Sequence, residues 1–397
     1  MITVAEAEKI ILEHVKAYGT ESIPFTGALG RVLAEDMLAD RDLPPYNRAT
    51  MDGIAIAYAS FEKGLRSFRV KATQAAGDTP VDIEQEDECI EIMTGAALLL
   101  TTDTVVRYED IAINNGRATL TTDSISRGQN IHPKGKDKKR SGVVASAHQY
   151  ITPALISMAA SVGCHHLSVK RLPRVMIISS GDELVEVDQT PSPWQLRRSN
   201  SYTLQAILQQ AGIIADTGHI PDDPAITRQQ VGDCLQRYDV IILSGGVSMG
   251  KFDYIPQALE ALSVRPLFYK VQQRPGKPFW FGAQEGGCLV FALPGNPVSG
   301  FMCIHRYFLP WLRASLGVTP GAPQYAVLGE DYQFTPDLHY FLQVRLHSNP
   351  QGQLVGEPVT GNGSGDFANL VDTDAFMELP AERNNFKKGE VYRIWRF

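Results

Sequence analysis

Arg274-Pro275-Gly276-Lys277-Pro278 puts two cations on either side of a Pro-Gly turn, with Lys270 upstream on the same segment. A cationic cluster on a loop stiffened by prolines is preorganised for a compact oxyanion. The same residues would also fit a solvated hairpin loop, and the local pattern does not choose between the two. Gly245-Gly246 can turn successive backbone N–H groups into one concavity, a nest for an anionic oxygen, or can simply make a tight turn. Asp222-Asp223 and Asp253 are expected on neighbouring loops. Carboxylates beside a phosphate-binding loop suggest a hard divalent cation, Mg2+, held by Asp222 and Asp253. Each aspartate could instead be a cap or a turn former.

These groups need a scaffold, and residues 174–317 supply a pattern for one. Apolar runs at 175–179, 240–243 and 289–293 predict buried strands. Ser199-Asn200-Ser201 is expected to cap a helix through Gln210 that Gly212 stops. Pro221-Asp222-Asp223-Pro224 opens another helix to about Leu235, and Pro294-Gly295-Asn296-Pro297 leads into a long apolar one through Trp311. Alternating strands and helices predict a parallel sheet with helices on both faces. Ligands bind at the carboxyl ends of such strands. Loops 180–183, 221–224, 244–250 and 294–299 would all lie there, and all are rich in small or acidic residues.

The flanking regions read differently. Thr3-Val4-Ala5-Glu6 is a capping box, and Ile10, Ile11, His14 and Val15 give a stripe that predicts a helix to about Tyr18, stopped by Gly19. Residues 41–140 break into short alternating runs, with Asn115-Gly116 as a hairpin turn, and predict a small β domain. Residues 134–140 form a basic, exposed connector. After the Pro320-Gly321-Ala322-Pro323 linker, residues 324–397 predict a second β domain with strands at 340–346 and 391–395.

Composition narrows the function classes. The net charge of −7 argues against nucleic acid as the main partner, since phosphate backbones need a basic surface. No signal-peptide pattern and no membrane-length apolar run are seen, which predicts a cytoplasmic protein. The five scattered cysteines contain no C-x-x-C pair, so reduced thiols are expected rather than a zinc knuckle or disulfides. His165-His166 would point to opposite faces of a strand and is not expected to share a metal.

Several motifs together resemble one family, the molybdopterin molybdenumtransferases (MoeA and the gephyrin E domain). Pro44-Pro45 through Met51-Asp52-Gly53 is similar to its P-P-x-x-x-S-x-M-D-G signature, and Ile92-Met93-Thr94-Gly95-Ala96 to its I-x-T-G-A. Ser180-Gly181-Asp182-Glu183-Leu184, the run from Ser244 with Asp253-Tyr254, Pro275-Gly276-Lys277-Pro278, Leu293 through Ser299, and Gly363-Ser364-Gly365 follow in order. The resemblance implies a multidomain α/β protein. Its parts would be a linker domain from residues 1–40 and 141–173, an inserted β domain at 41–140, an α/β molybdopterin-binding domain at 174–317, and a C-terminal β barrel at 324–397. It implies a transferase that inserts molybdate into adenylylated molybdopterin, releasing AMP and giving molybdenum cofactor. It further implies a homodimer with its site between subunits, and the molybdopterin adenylyltransferase as a partner protein.

Carried over by motif, Lys270, Arg274, Lys277, Ser299 and Ser364 would hold the oxyanion or shape its pocket. Asp182, Glu183, Asp222, Asp253, Ser244, Gly245, Gly246, Ser248, Pro294, Gly295 and Asn296 would hold the pterin nucleotide and Mg2+. Asp52 and Thr94 would reach in from the partner subunit. Three positions depart from the family pattern. Gly128-Gln129-Asn130 stands where the family has G-E-D, Lys251 where it has Glu, and Phe341-Leu342-Gln343 where it has Phe-x-Arg. Arg345, on the same face of that strand, is a candidate substitute for the missing arginine. The departures leave a second reading open, a molybdopterin-nucleotide-binding relative acting as carrier, regulator or scaffold.

Overall fold

Val240-Ile241-Ile242-Leu243, apolar on both faces, forms the buried centre of a six-stranded sheet in the computed structural model. Described are residues 1–246, 254–359, 361, 363 and 365–397. The strand order is Asp216–Ile220, Val175–Ser180, Val240–Ser244, Leu289–Leu293, Trp280–Gln284, Val264–Tyr269. Successive residues point to opposite faces, so each strand feeds two cores. Ile177, Ile242 and Phe291 pack with the helix Ser199–Gln210 and with Tyr307, Phe308 and Trp311. Ile178, Ile241, Leu243 and Val290 pack with the helices Pro224–Arg237 and Ile255–Ala261. Burying each such side chain fully contributes roughly 1.5–3 kcal/mol, which holds the strand ends, and the loops leaving them, in place.

The sheet departs from the expected parallel arrangement at one edge. Its first four strands are parallel, but Trp280–Gln284 pairs antiparallel with Leu289–Leu293, and Val264–Tyr269 pairs antiparallel with Trp280–Gln284. A parallel return needs a crossover of about a dozen residues or more, usually a helix. Here the connection is the short cationic segment itself, so the chain makes a hairpin and presents that segment at its tip.

The first helix also differs from expectation, ending at Leu12 rather than near Tyr18. Thr3 and Glu6 form the anticipated capping box. Beyond Leu12 the backbone is tied elsewhere: Trp311 Nε1 donates to His14 O at 3.0 Å, and Lys16 N to Ser315 Oγ at 3.3 Å. Those bonds to a distant helix displace the i→i−4 ladder that the local pattern favoured. The long C-terminal helix of this region widens into a π-turn at Ile304–Phe308, between Pro297–Cys303 and Leu309–Ser315. Pro310 lacks the N–H that would bond the carbonyl four residues back.

Residues 47–132 carry a six-stranded sheet and a three-stranded one. Its hairpin turns at Asn115 (φ 49°) and Gly116 (φ 73°), both in the left-handed region that the Asn-Gly pair predicted. On either side of this unit the chain is sewn together. Thr20–Pro24 pairs with His166–Lys170, and Met37–Leu38 with Val143–Ala145. At the C-terminal end, His339–Ser348 pairs with both Leu354–Pro358 and Ala375–Leu379, and Gln324–Leu328 with Val391–Arg396 completes a closed five-stranded barrel. The short strand Gln273–Arg274 adds to His339–Ser348, so the cationic segment is anchored to the barrel as well as to the central sheet. No helix among the described residues is long and apolar enough to cross a membrane.

Candidate functional site

The loops at the carboxyl ends of the central strands enclose a cavity of about 890 Å³. Among the residues expected there, Glu183, Ser244, Gly245, Gly246, Pro294, Gly295 and Asn296 line it. Gly245 and Gly246 have φ of 92° and 68°, a backbone that L side chains rarely adopt. A Cβ on Gly246 would collide with Ser180 Oγ and Ile255, so the strand end comes as close as glycine allows. The expected nest is smaller than the sequence suggested. Gly245 N–H bonds Leu293 O at 3.2 Å, which leaves Gly246 as the donor of the pair.

Asn200 was expected to cap a helix, and does something else. The helix starts at Ser199 with Arg198 at its N-cap and no side-chain cap. Asn200 Nδ2 donates to Ser244 Oγ at 3.0 Å and to Gly295 O at 2.8 Å, fastening two cavity loops to each other. Arg198 also lines the cavity. The sequence signal is Arg197-Arg198 immediately before a helix, a pair of cations next to a positive helix end, which local charge alone disfavours.

Asp182 and Asp222 clasp each other beside the cavity. Asp182 N donates to Asp222 Oδ2 at 3.4 Å, and Asp222 N to Asp182 Oδ1 at 3.1 Å. Asp223 is a helix cap, accepting from Ala225 N and Ile226 N at 2.9 and 2.8 Å. Ser248, Lys251, Asp253 and Ser364 lie outside the described residues. Among the described residues no group of three or more His, Cys, Asp or Glu could hold a metal ion.

A second cavity of about 290 Å³ opens between the cationic segment and the barrel. Arg274, Tyr332, Phe334, Tyr340 and Gln343 line it. Arg274 Cζ sits 5.9 Å from the Phe334 ring centre, and Phe334 stacks on Tyr340 at 4.1 Å. The turn between the cations is braced from below. Gln273, fully buried, donates from Nε2 to Gly276 O at 3.0 Å and accepts from Tyr307 Oη, which the π-turn presents. A Cβ on Gly276 would meet Cys303 Sγ at 2.8 Å. Pro278 lines the large cavity while Arg274 and Pro275 line the small one, so residues 274–278 stand between the two.

Lys277 is exposed and Lys270 half-buried, with Lys270 Nζ 4.8 Å from the Tyr269 ring. No described carboxylate forms an ion pair with Lys270, Arg274 or Lys277. Ser299 is buried at 2% exposure in the helix Pro297–Cys303, and among the described residues it lines neither cavity. Arg345 does not replace the family arginine. Its guanidinium pairs with Asp372 Oδ1 at 3.2 Å, and Gln343 lines the small cavity instead, accepting from Thr373 Oγ1 at 3.3 Å.

Asp52 and Thr94 come together on the N-terminal β unit, both exposed and in neither cavity. Asp52 Oδ1 accepts from Thr94 Oγ1 at 2.7 Å and from Thr94 N at 2.6 Å. The hydroxyl and then the backbone N–H hold the carboxyl below the usual carboxylate range. Any stability from this group is therefore present above the ordinary carboxylate pKa and lost as pH falls through the lowered one. Thr94→Val is expected to let the Asp52 pKa climb back towards the ordinary value, read by NMR titration of its carboxyl carbon. An unmoved titration would show that the hydroxyl does not set it. Asn130, near the same edge, has φ 56° and donates from Nδ2 to Val105 O at 3.0 Å, a bond a carboxylate could not make.

The family model for the MoeA N-terminal region (domain I and II) matches residues 2–163, that for a probable molybdopterin binding domain matches 176–314, and that for the MoeA C-terminal region (domain IV) matches 325–397. A molybdopterin molybdenumtransferase of Synechocystis sp. is 38% identical over 398 residues, covering 100% of both chains. One of Haemophilus influenzae is 28% identical over 402 residues, covering 100% of this chain and 99% of its own. A crystal structure of the molybdopterin biosynthesis MoeA protein from Pyrococcus horikoshii covers 100% of both chains with a TM-score of 0.84 at 24% identity, a likeness of fold.

Proposed function

We propose that this chain, which belongs to the molybdopterin molybdenumtransferase family, inserts molybdate into adenylylated molybdopterin and releases AMP. The observation that carries the reading is the place of residues 274–278 between a cavity of about 890 Å³ and one of about 290 Å³. The larger has the size of a nucleotide-scale ligand site. The smaller suits a compact tetrahedral dianion, with Arg274 in its wall. A braced segment touching both can hold the two reactants side by side, which lowers the entropy cost of bringing them together.

On this reading Gly246, the 294–296 loop and Glu183 hold the pterin nucleotide, and Lys270, Arg274 and Lys277 hold the oxyanion, with Ser299 packed beneath. Asp182 and Asp222 each keep one carboxylate oxygen unengaged among the described residues. That donor set fits Mg2+, which takes one or two carboxylates and completes its shell with phosphate and water; Asp253 of the family motif would join it. The ion, when bound, would neutralise charge on the phosphoanhydride. The protein would be a cytoplasmic homodimer in which Asp52 and Thr94 complete the site of a second copy. Their exposure away from both cavities supports that arrangement. The adenylylated substrate would come from the molybdopterin adenylyltransferase. Residues 1–40 with 141–173, 41–140, 174–317 and 324–397 would be the four domains.

Single turnover with adenylylated molybdopterin, Mg2+ and molybdate, following AMP, tests the reading. AMP release that does not depend on molybdate would overturn it. Lys277→Ala is expected to weaken the molybdate dependence tenfold to a hundredfold, or about 1.5–3 kcal/mol for one charge-assisted contact. AMP affinity should change much less, and an equal loss of both would make the segment a structural element only.

A further inference from the structure

One wall of the large cavity carries three polar groups with no role so far: Ser180, which opens the Ser180–Leu184 motif, and Arg198 and Ser201, which belong to none of the motifs. Arg198 lines the cavity with its side chain 9% exposed. One guanidinium nitrogen pairs with Glu186 Oε1 at 3.1 Å, while Nε has no hydrogen-bond partner among the described residues. Ser180 Oγ and Ser201 Oγ line the same cavity, are buried, and also lack partners. Ser201 sits in the first turn of the helix Ser199–Gln210, whose N-terminus no side chain caps.

Buried donors left unmade cost free energy, and native proteins rarely keep several in one place unless something completes them. Water could satisfy the hydroxyls. Arg198 is a different matter: Glu186 meets its charge through one nitrogen, yet its buried Nε has no acceptor among the described residues, and the helix that its backbone opens has no side-chain cap. The group that relieves all of these at once is an anion with several acceptor oxygens, and a phosphate matches it in charge and geometry. Phe367, half-exposed on the cavity rim, offers a ring face to the heterocycle such a phosphate would carry.

We propose that Arg198, with the hydroxyls of Ser180 and Ser201, forms a phosphate subsite in this cavity for the nucleotide-linked substrate and its AMP product. The inference rests on the transferase reading for the identity of that ligand. The rival role for Arg198 is a tether, holding the strand pair Leu184–Val185 and Leu196–Arg197 through Glu186.

Equilibrium binding of AMP and of adenosine, to the full chain and to Arg198→Ala, Arg198→Lys and Glu186→Gln, separates the roles. Arg198→Ala is expected to weaken AMP binding tenfold to a hundredfold and leave adenosine unchanged. Arg198→Lys keeps the charge but not the fork, and should fall between. Glu186→Gln frees the guanidinium and should bind AMP at least as well as the parent. A parallel loss of AMP and adenosine in both Arg198→Ala and Glu186→Gln would make Arg198 a tether and overturn the proposal. So would unchanged AMP affinity in Arg198→Ala. The two readings fail separately. A parent that shows no molybdate-dependent AMP release, yet loses AMP selectively in Arg198→Ala, keeps the subsite and loses the transferase. Turnover by the parent with normal AMP binding in Arg198→Ala does the reverse.

Discussion

Gly246→Asp is expected to abolish AMP binding and to lower the melting temperature by several degrees. The residue has φ 68°, and any Cβ there would collide with Ser180 Oγ and lie 2.6 Å from Ile255 Cδ1. Ile255 is buried in the core beneath the sheet, so the strain cannot be relieved by moving an exposed side chain. Aspartate tolerates the left-handed region better than most residues, yet the steric cost remains, on the order of 1–2 kcal/mol or more. A loss of that size shifts melting by roughly 2–4 °C per kcal/mol in a chain region of this size. Binding suffers for a second reason, because the new carboxylate stands where the phosphate would sit, beside the one N–H of the pair not committed to the sheet. Gly246→Ala separates the causes, since it carries the same Cβ without the charge. Calorimetry with AMP should show the alanine variant weakened and the aspartate variant silent. If the aspartate variant binds AMP like the parent, the loop is a tight turn and not a phosphate site.

What the sequence made legible follows from how local each cause was. The central strands could be read because Val240 through Leu243 and Leu289 through Leu293 are apolar at every position, which only a sheet covered on both faces explains. The Thr3 capping box and the Asn115-Gly116 turn were equally readable, since each is made within a few residues. The first helix ends earlier than its own pattern predicts because what ends it is a pair of bonds to Trp311 and Ser315, 297 and 299 residues further along the chain. The local pattern of the cationic segment fits a hairpin loop as well as an oxyanion site, and the hairpin is what makes this sheet edge antiparallel. Asn200 is of a type that suits a cap, whereas its amide reaches Ser244 and Gly295. Arg345 shares a strand face with Gln343, but periodicity could not show that Asp372 already holds it. Site residues that act through their own loop were visible; those recruited by another loop were not.

Arg274→Ala is expected to cut molybdate-dependent AMP release about a hundredfold while leaving AMP affinity near that of the parent. Arg274 is the only cation among the described residues lining the small cavity, whose wall is otherwise aromatic, aliphatic or neutral polar. The Phe-x-Arg pattern that Phe341-Leu342-Gln343 resembles would put a second guanidinium at the position of Gln343. The wall of that cavity offers one guanidinium, flanked by the Phe334 ring and carried on a loop that the buried Gln273 and Tyr307 brace. Losing a charge-assisted contact in a partly dry site costs about 3 kcal/mol at the upper end, which is roughly a hundredfold. AMP should be spared because Arg274 does not line the larger cavity. Gln343→Arg makes the complementary prediction. Added to Arg274→Ala it should restore at least tenfold of the lost rate, since it returns a guanidinium fork to the same cavity. Added to the parent it should tighten molybdate binding, unless two guanidinium groups repel when the cavity is empty, in which case melting temperature falls and molybdate restores it. An equal loss of AMP and molybdate binding in Arg274→Ala, with no recovery from Gln343→Arg, would place the oxyanion somewhere other than this cavity.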